Sequence, residues 1–148
     1  MGWYFEDFDP EAAPVVTPEQ AICEADVMAF AALSGDDNPL HTDAGFAERT
    51  PLGQRVAHGL LVLSVATGLS AKAGQMQGTA LAFLGMEDWR FLAPVFFGDR
   101  IRLRWSVTEK RLTSNGQAGV VKRRMDILNQ RDEVVQSGLF ATLVRTRP

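Results

Sequence analysis

The chain has 148 residues, 46% of them hydrophobic and 22% charged, a balance that excludes intrinsic disorder and fits one domain over residues 1–148 with its own core. A formal net charge of −3 argues against nucleic-acid binding, which needs a basic surplus to neutralise phosphate. The lone cysteine, Cys23, excludes an internal disulfide and a cysteine metal site, and fits a reducing, cytoplasmic setting.

The N-terminal residues Met1 to Asp7 carry no basic residue before an apolar stretch, so they do not read as a signal peptide. The longest apolar run, Gly59 to Leu69, is too short to cross a bilayer. A short strand is expected within Pro14 to Ile22, followed by a helix from about Glu24 to Leu33. On that helix Val27, Phe30, Ala31 and Ser34 share a face, and Glu24 and Asp26 suit the positive end of its dipole. Gly35 is placed to end it in a left-handed conformation. Residues 36–40 read as a loop, with Asn38-Pro39 as a turn signal. Asp43 reads as the N-cap of a short helix running to Arg49.

The next helix, from Gly59 to about Ala73, has almost no polar face: Leu60, Leu61, Val62, Leu63, Val65, Ala66 and Leu69 surround it. A helix apolar all round is expected to be buried on all sides, which a sheet wrapped around it would achieve. The second half supplies strands. Ala80 to Phe91 is the first, with a bulge or bend expected at Gly85. Ile101, Leu103, Trp105 and Val107 alternate with Arg102, Arg104, Ser106 and Thr108, a period of two. Asn115-Gly116 signals a tight turn. Two more strands follow, over residues 118–129 and 133–146, joined at Gln130-Arg131-Asp132. Helices followed by strands define an α+β class with an antiparallel sheet, whose edges need protection, as by pairing in a symmetric dimer.

Two segments carry the chemistry. Asp36 and His41 stand five residues apart across a turn, so a carboxylate and an imidazole can converge on one point and exchange protons near neutral pH. The same residue types also make ordinary solvated turns. His58-Gly59 opens the apolar helix, whose free N–H groups can hold a negative oxygen. Ser64 is a polar residue on an apolar helix and needs either a ligand or the carbonyl one turn earlier. The chain has only two histidines, which excludes a three-histidine metal site. No nucleophile elbow, P-loop or dinucleotide fingerprint is present.

Together these segments resemble the MaoC-like family of hydratases and dehydratases, which includes the R-specific enoyl-CoA hydratases. The resemblance lies in the run from Phe30 to Asp43, in Phe46-Ala47, and in the run from Val56 to Ser64. Tyr4 to Phe8 and Phe91 to Asp99 add to it, in the expected order over most of the chain. It implies a hotdog fold, a curved antiparallel sheet wrapped around the long helix from Gly59, assembled as a homodimer or higher homo-oligomer. It implies that Asp36 and His41 activate a water that adds to the β-carbon of a 2-enoyl thioester. The carrier would be coenzyme A or an acyl carrier protein. Gly59 N–H would bind the thioester carbonyl, Ser64 would line the same site, and Asn38 and His58 are assigned to substrate binding with them. No metal or organic cofactor is implied. The chain departs from the family at residues 9–14, where a Gly-Asp pair is usual, and at Cys23, which replaces a capping Thr or Ser at a cost of about 1 kcal/mol.

Two rival readings use the same fold. A non-catalytic acyl-binding subunit typically lacks the acid or the histidine, and both are present. A thioesterase usually places a carboxylate on or near the central helix, and none occurs between Gly59 and Gly78. Among Arg49, Arg55, Arg90, Lys122, Arg123 and Arg124, some are candidates for the phosphates of a thioester carrier, although each taken singly reads as a solvated charge.

Overall fold

The computed structural model describes residues 1–148. Two short strands, β1 (Val15–Val16) and β2 (Gln20–Ala21), precede α1 (Glu24–Ser34), α2 (Pro39–Thr42), α3 (Ala44–Glu48) and α4 (Gly59–Lys72). Four long strands follow: β3 (Ala80–Phe91), β4 (Arg100–Leu112), β5 (Ala118–Leu128) and β6 (Val134–Arg145). They form one antiparallel sheet in the order β1-β4-β5-β6-β3, with β2 also pairing on β4. This is the hotdog arrangement: α4 packs its buried side on the inner face of the sheet.

The inner face follows from alternation. On β4, Ile101, Leu103, Trp105 and Val107 are buried, and they meet Val121, Met125 and Ile127 of β5 and Leu61, Val62, Ala66 and Leu69 of α4 in one core. Each fully buried side chain of this size contributes about 1.5–3 kcal/mol of transfer free energy. Trp3, Phe8 and Trp105 close one end of the core with ring centroids 5.4–6.4 Å apart. The bulge expected at Gly85 is present as a register shift between Phe83 and Gly85.

Three local expectations differ from the structure. Residues 36–40 are not all loop, because Asn38 Oδ1 accepts from Leu40 N–H at 3.0 Å and Pro39 takes the first helical position, starting α2. Proline is favoured there because its missing N–H has no helical acceptor anyway. The Asn115-Gly116 turn is a five-residue connection, 113–117, in which Asn115 Oδ1 accepts from Gln117 N–H and Thr113 Oγ1. The third difference concerns α4, which is not buried on all sides. Leu61, Val62, Leu63, Ala66 and Leu69 are buried, but Leu60 is 59% exposed and Ser64, Thr67 and Ala71 are exposed. The sheet covers only one side of the helix. Strand β3, beside the open side, exposes Leu81, Phe83, Leu84, Met86 and Phe91.

Candidate active site

The site is built where the end of α1 meets the start of α4. Gly35, at φ +78°, ends α1 in the left-handed region, and Ser34 Oγ accepts from Asp36 N–H at 3.1 Å while donating to Phe30 O. The chain then turns at once. Asp36 Oδ1 accepts from Asn38 N–H at 3.4 Å, and Thr42 Oγ1 donates back to the carbonyls of Asp37 and Asn38. Helix α2 sets His41 on its last turn, and the next loop returns beneath it: Val56 N–H bonds to Leu40 O and Ala57 N–H to Val95 O.

Two histidine hydrogen bonds fix the tautomers. His41 Nδ1 lies 2.7 Å from Val56 O. A carbonyl only accepts, so Nδ1 carries the proton and Nε2 of the neutral ring keeps a free lone pair. His58 Nε2 lies 2.8 Å from Asp36 O, so it donates there, and its Nδ1 is buried without a partner. The two imidazoles stack at 3.9 Å with 30° between their planes, and Phe30 packs on His58 at 4.9 Å. Ligand atoms of Asp36, His41 and His58 lie within 4.8 Å of one another, and of the three only Asp36 and His41 have polar atoms left to touch a water together. Asp36 is exposed, His41 half-buried and His58 only 2% exposed.

The start of α4 follows His58 directly. Its first helical hydrogen bond runs from Val62 N–H to His58 O, so the N–H groups of Gly59, Leu60 and Leu61 precede the ladder, as at any helix start. Gly59 packs against Phe91: a Cβ added at this glycine would sit 2.7 Å from the ring. A cavity of about 390 Å³ opens beside Gly59, between Val56, Val62, Phe91, Pro94 and Gln136.

Residues singled out in the sequence therefore separate by position. Asp36, His41 and His58 converge, and Gly59 adjoins them. His58 reaches them as a buried brace on the Asp36 carbonyl. The Asn38 side chain is occupied as the cap of α2. Ser64 Oγ donates to Leu60 O at 2.7 Å, the bond to the preceding turn that any helical serine can make. Of the candidate phosphate-binding cations, Arg55 pairs with Glu24, Lys122 with Glu87 and Glu109, and Arg124 with Asp126, while Arg123 is buried.

Sequence reasoning missed Gln136, whose Nε2 donates to Gly59 O at 2.9 Å while its Oε1 accepts from Trp89 Nε1 at 3.1 Å. Gln136 is 2% exposed, and a buried glutamine among apolar strand residues was the available signal.

A sheet curved over one helix is the hotdog fold, and here a carboxylate and an imidazole gather near the start of that helix. The chain belongs to the family described as the MaoC like domain, whose family model matches residues 7–127. It is 40% identical over 107 residues to Protein MaoC of Klebsiella aerogenes, covering 72% of this chain and 31% of that protein. It is 41% identical over 87 residues to an (R)-specific enoyl-CoA hydratase of Aeromonas caviae, covering 59% of this chain and 63% of the relative. The chain thus spans less than two thirds of the length of either relative. Among solved structures, an Archaeoglobus protein described as a monoamine oxidase regulatory protein superposes with a TM-score of 0.91 at 36% identity, covering 99% of this chain and 97% of that one.

Proposed function

We propose that the chain adds water across the double bond of a 2-enoyl thioester and removes it in reverse, with Asp36 and His41 as its acid–base pair. The observation that carries this reading is the fixed His41 ring. Its Nδ1 proton is committed to Val56 O, so the free Nε2 is the atom left to trade a proton, and a ring nitrogen of His41 lies within 4.8 Å of a carboxylate oxygen of Asp36. Asp36 and Nε2 hold a water. As its oxygen bonds to the β-carbon, the pair takes one of its protons and the π electrons move onto the thioester oxygen as an enolate; the enolate then collapses as the pair gives that proton to the α-carbon. Dehydration reverses each move. The Gly59 N–H, free at the start of α4, is the donor for the enolate oxygen, a contribution of about 3 kcal/mol in comparable sites. The reaction as written uses neither a metal nor an organic cofactor. The name of the Aeromonas caviae relative supports the same reaction class.

In this reading the substrate is carried by coenzyme A or an acyl carrier protein, the reaction is cytoplasmic, and residues 1–148 act as one domain. Strand β6 lies wholly beyond the matched residues 7–127 yet pairs with both β3 and β5, which supports counting it in that domain. No helix is long and apolar enough to cross a membrane. The chain works as a homodimer or higher homo-oligomer, with the open side of α4 and the apolar edge strand β3 covered by a second copy.

The test is hydration of crotonyl-CoA, followed as loss of enoyl absorbance, for wild type, Asp36→Asn and His41→Ala. Each variant is expected to keep its fold and lose about 10²–10⁴-fold in kcat. A folded wild type that leaves short and long enoyl thioesters of both coenzyme A and an acyl carrier protein untouched would overturn the reading.

A further inference from the structure

Arg123 is the strongest group that the acid–base chemistry leaves unused. The inward positions of β5 run Val121, Arg123, Met125 and Ile127, and all four are buried. A guanidinium therefore stands where the strand otherwise places apolar side chains. Arg123 is 4% exposed. Its Nη1 donates to Ser70 Oγ at 3.4 Å, its Cζ lies 4.9 Å from the Trp105 ring centre, and its Nε is buried with no acceptor. No carboxylate pairs with it, and burial alone pulls its pKa down to about 10. A buried cation with no counter-charge is costly, which is the signature of a place kept for an anion.

The cation sits on the wall of a cavity of about 540 Å³, lined also by Thr67, Ser70, Phe83, Phe140 and Thr142. The wall is mainly apolar, with a guanidinium and hydroxyls set into it. This cavity lies along the open side of α4. From Gly59 the exposed residues Leu60, Ser64, Thr67 and Ala71 form one ridge, and Thr67 and Ala71 also line the cavity, so the open side of α4 leads from the proposed thioester end to it. The rise from Gly59 to Ser70 is about 16 Å at 1.5 Å per residue. Allowing about 3 Å for a hydrogen bond at each end leaves roughly 10 Å. An extended chain advances about 1.2 Å per bond, so about eight bonds span it.

We propose that Arg123, with Ser70 and Thr142, receives the terminal carboxylate of a dicarboxylic acyl thioester, of roughly eight to ten carbons by the span above. The inference rests on the hydration reading above and names its substrate class. A carboxylate fits better than a phosphate, because one guanidinium beside one or two hydroxyls matches a planar, singly charged group, and the surrounding wall is apolar.

The experiment compares 2-enoyl-CoAs of six, eight and ten carbons, each prepared with a methyl and with a carboxyl terminus. In wild type, kcat/KM at eight or ten carbons is expected to favour the carboxyl-ended substrate about tenfold or more. Arg123→Met brings that ratio to one or below, and Arg123→Lys retains part of it. Equal or better use of the methyl-ended series at every length overturns the proposal, as does a folded Arg123→Met variant that keeps the preference. A calorimetric titration of wild type with free suberate against octanoate reads the site without turnover. Binding of suberate alone, with no enoyl-CoA hydrated, sinks the hydration reading and leaves the carboxylate site standing. Absence of suberate binding, with hydration intact and no carboxyl preference, sinks the carboxylate site alone.

Discussion

His58 donates its Nε2–H to the main-chain carbonyl of Asp36 at 2.8 Å, tying the first residue before α4 to the turn that carries the proposed acid. The bond joins residues far apart in sequence and its histidine side is buried, so it ties the position of Asp36 to the start of α4. His58→Phe keeps a ring between Phe30 and His41 and removes only the donor. The expected result is a folded protein whose kcat on crotonyl-CoA falls about 10-fold or more, since small displacements of reacting groups are costly. A wild-type kcat in a folded His58→Phe protein would show that the brace has no part in catalysis.

Gly59 is confined by Phe91. The ring is 56% exposed and free to turn, so Gly59→Ala is expected to cost about 1 kcal/mol or less in stability. Turning Phe91 fills the cavity beside the proposed thioester donor, so kcat/KM should fall about tenfold. The double variant Gly59→Ala/Phe91→Ala relieves the clash, and its recovery of kcat/KM relative to the single variant is the check. A loss unchanged by the second substitution would place the fault in the helix start itself.

How much of this was legible in the sequence depended on what surrounds each element. The alternation of β4 reads cleanly because one face meets α4 and the other meets solvent, so residue type reports the environment directly. The open side of α4 does not read, because Leu60 is as apolar as Leu61 and only the sheet's limited width distinguishes them. Helix α2 was hidden by the dual meaning of Asn38-Pro39, which is both a turn signal and a helix cap followed by a favourable first residue. Of the proposed site, the motif names Asp36, His41 and Gly59, whereas the bond from His58 to Asp36 spans 22 residues and leaves no local trace. Arg123 was obscured by its neighbours: Lys122-Arg123-Arg124 looks like a charged surface run until the period of two places the middle residue with Val121 and Met125.

Acid should loosen α1 first at its start. The hydrogen bonds from the Cys23 thiol and backbone N–H, at 3.0 and 2.9 Å, hold the Asp26 carboxyl below its ordinary range. The carboxylate thereby offsets part of the weakness expected of cysteine at this cap. A carboxyl depressed in the folded state stabilises above its unfolded pKa, near 3.9, and that stability is lost as pH falls through the lower folded value. Thermal melts of wild type and Asp26→Ala should differ by about 1 kcal/mol or less at pH 7. The gap should close as the pH falls from about 4 toward 2. A gap that persists at the lowest pH would assign it to helix propensity instead.

The edge strand β3 should govern assembly. It offers a free row of backbone groups beside Leu84, 51% exposed, and Met86, 45% exposed, and natural edges left uncovered are usually blunted by lysine or proline. None of the twelve residues from Ala80 to Phe91 is either of these. Leu84→Lys places a charge on the strand without touching Asp36, His41 or Gly59. Light scattering coupled to size-exclusion chromatography should give at least twice the 16.2 kDa chain mass for wild type and a lower mass for Leu84→Lys. A monomeric wild type at tens of micromolar would sink the homodimer, and an unchanged mass in the variant would move the contact away from this edge. If the dimer also covers the open side of α4, crotonyl-CoA activity in Leu84→Lys should rise with protein concentration more steeply than in proportion, because each site then gains its outer wall only on association.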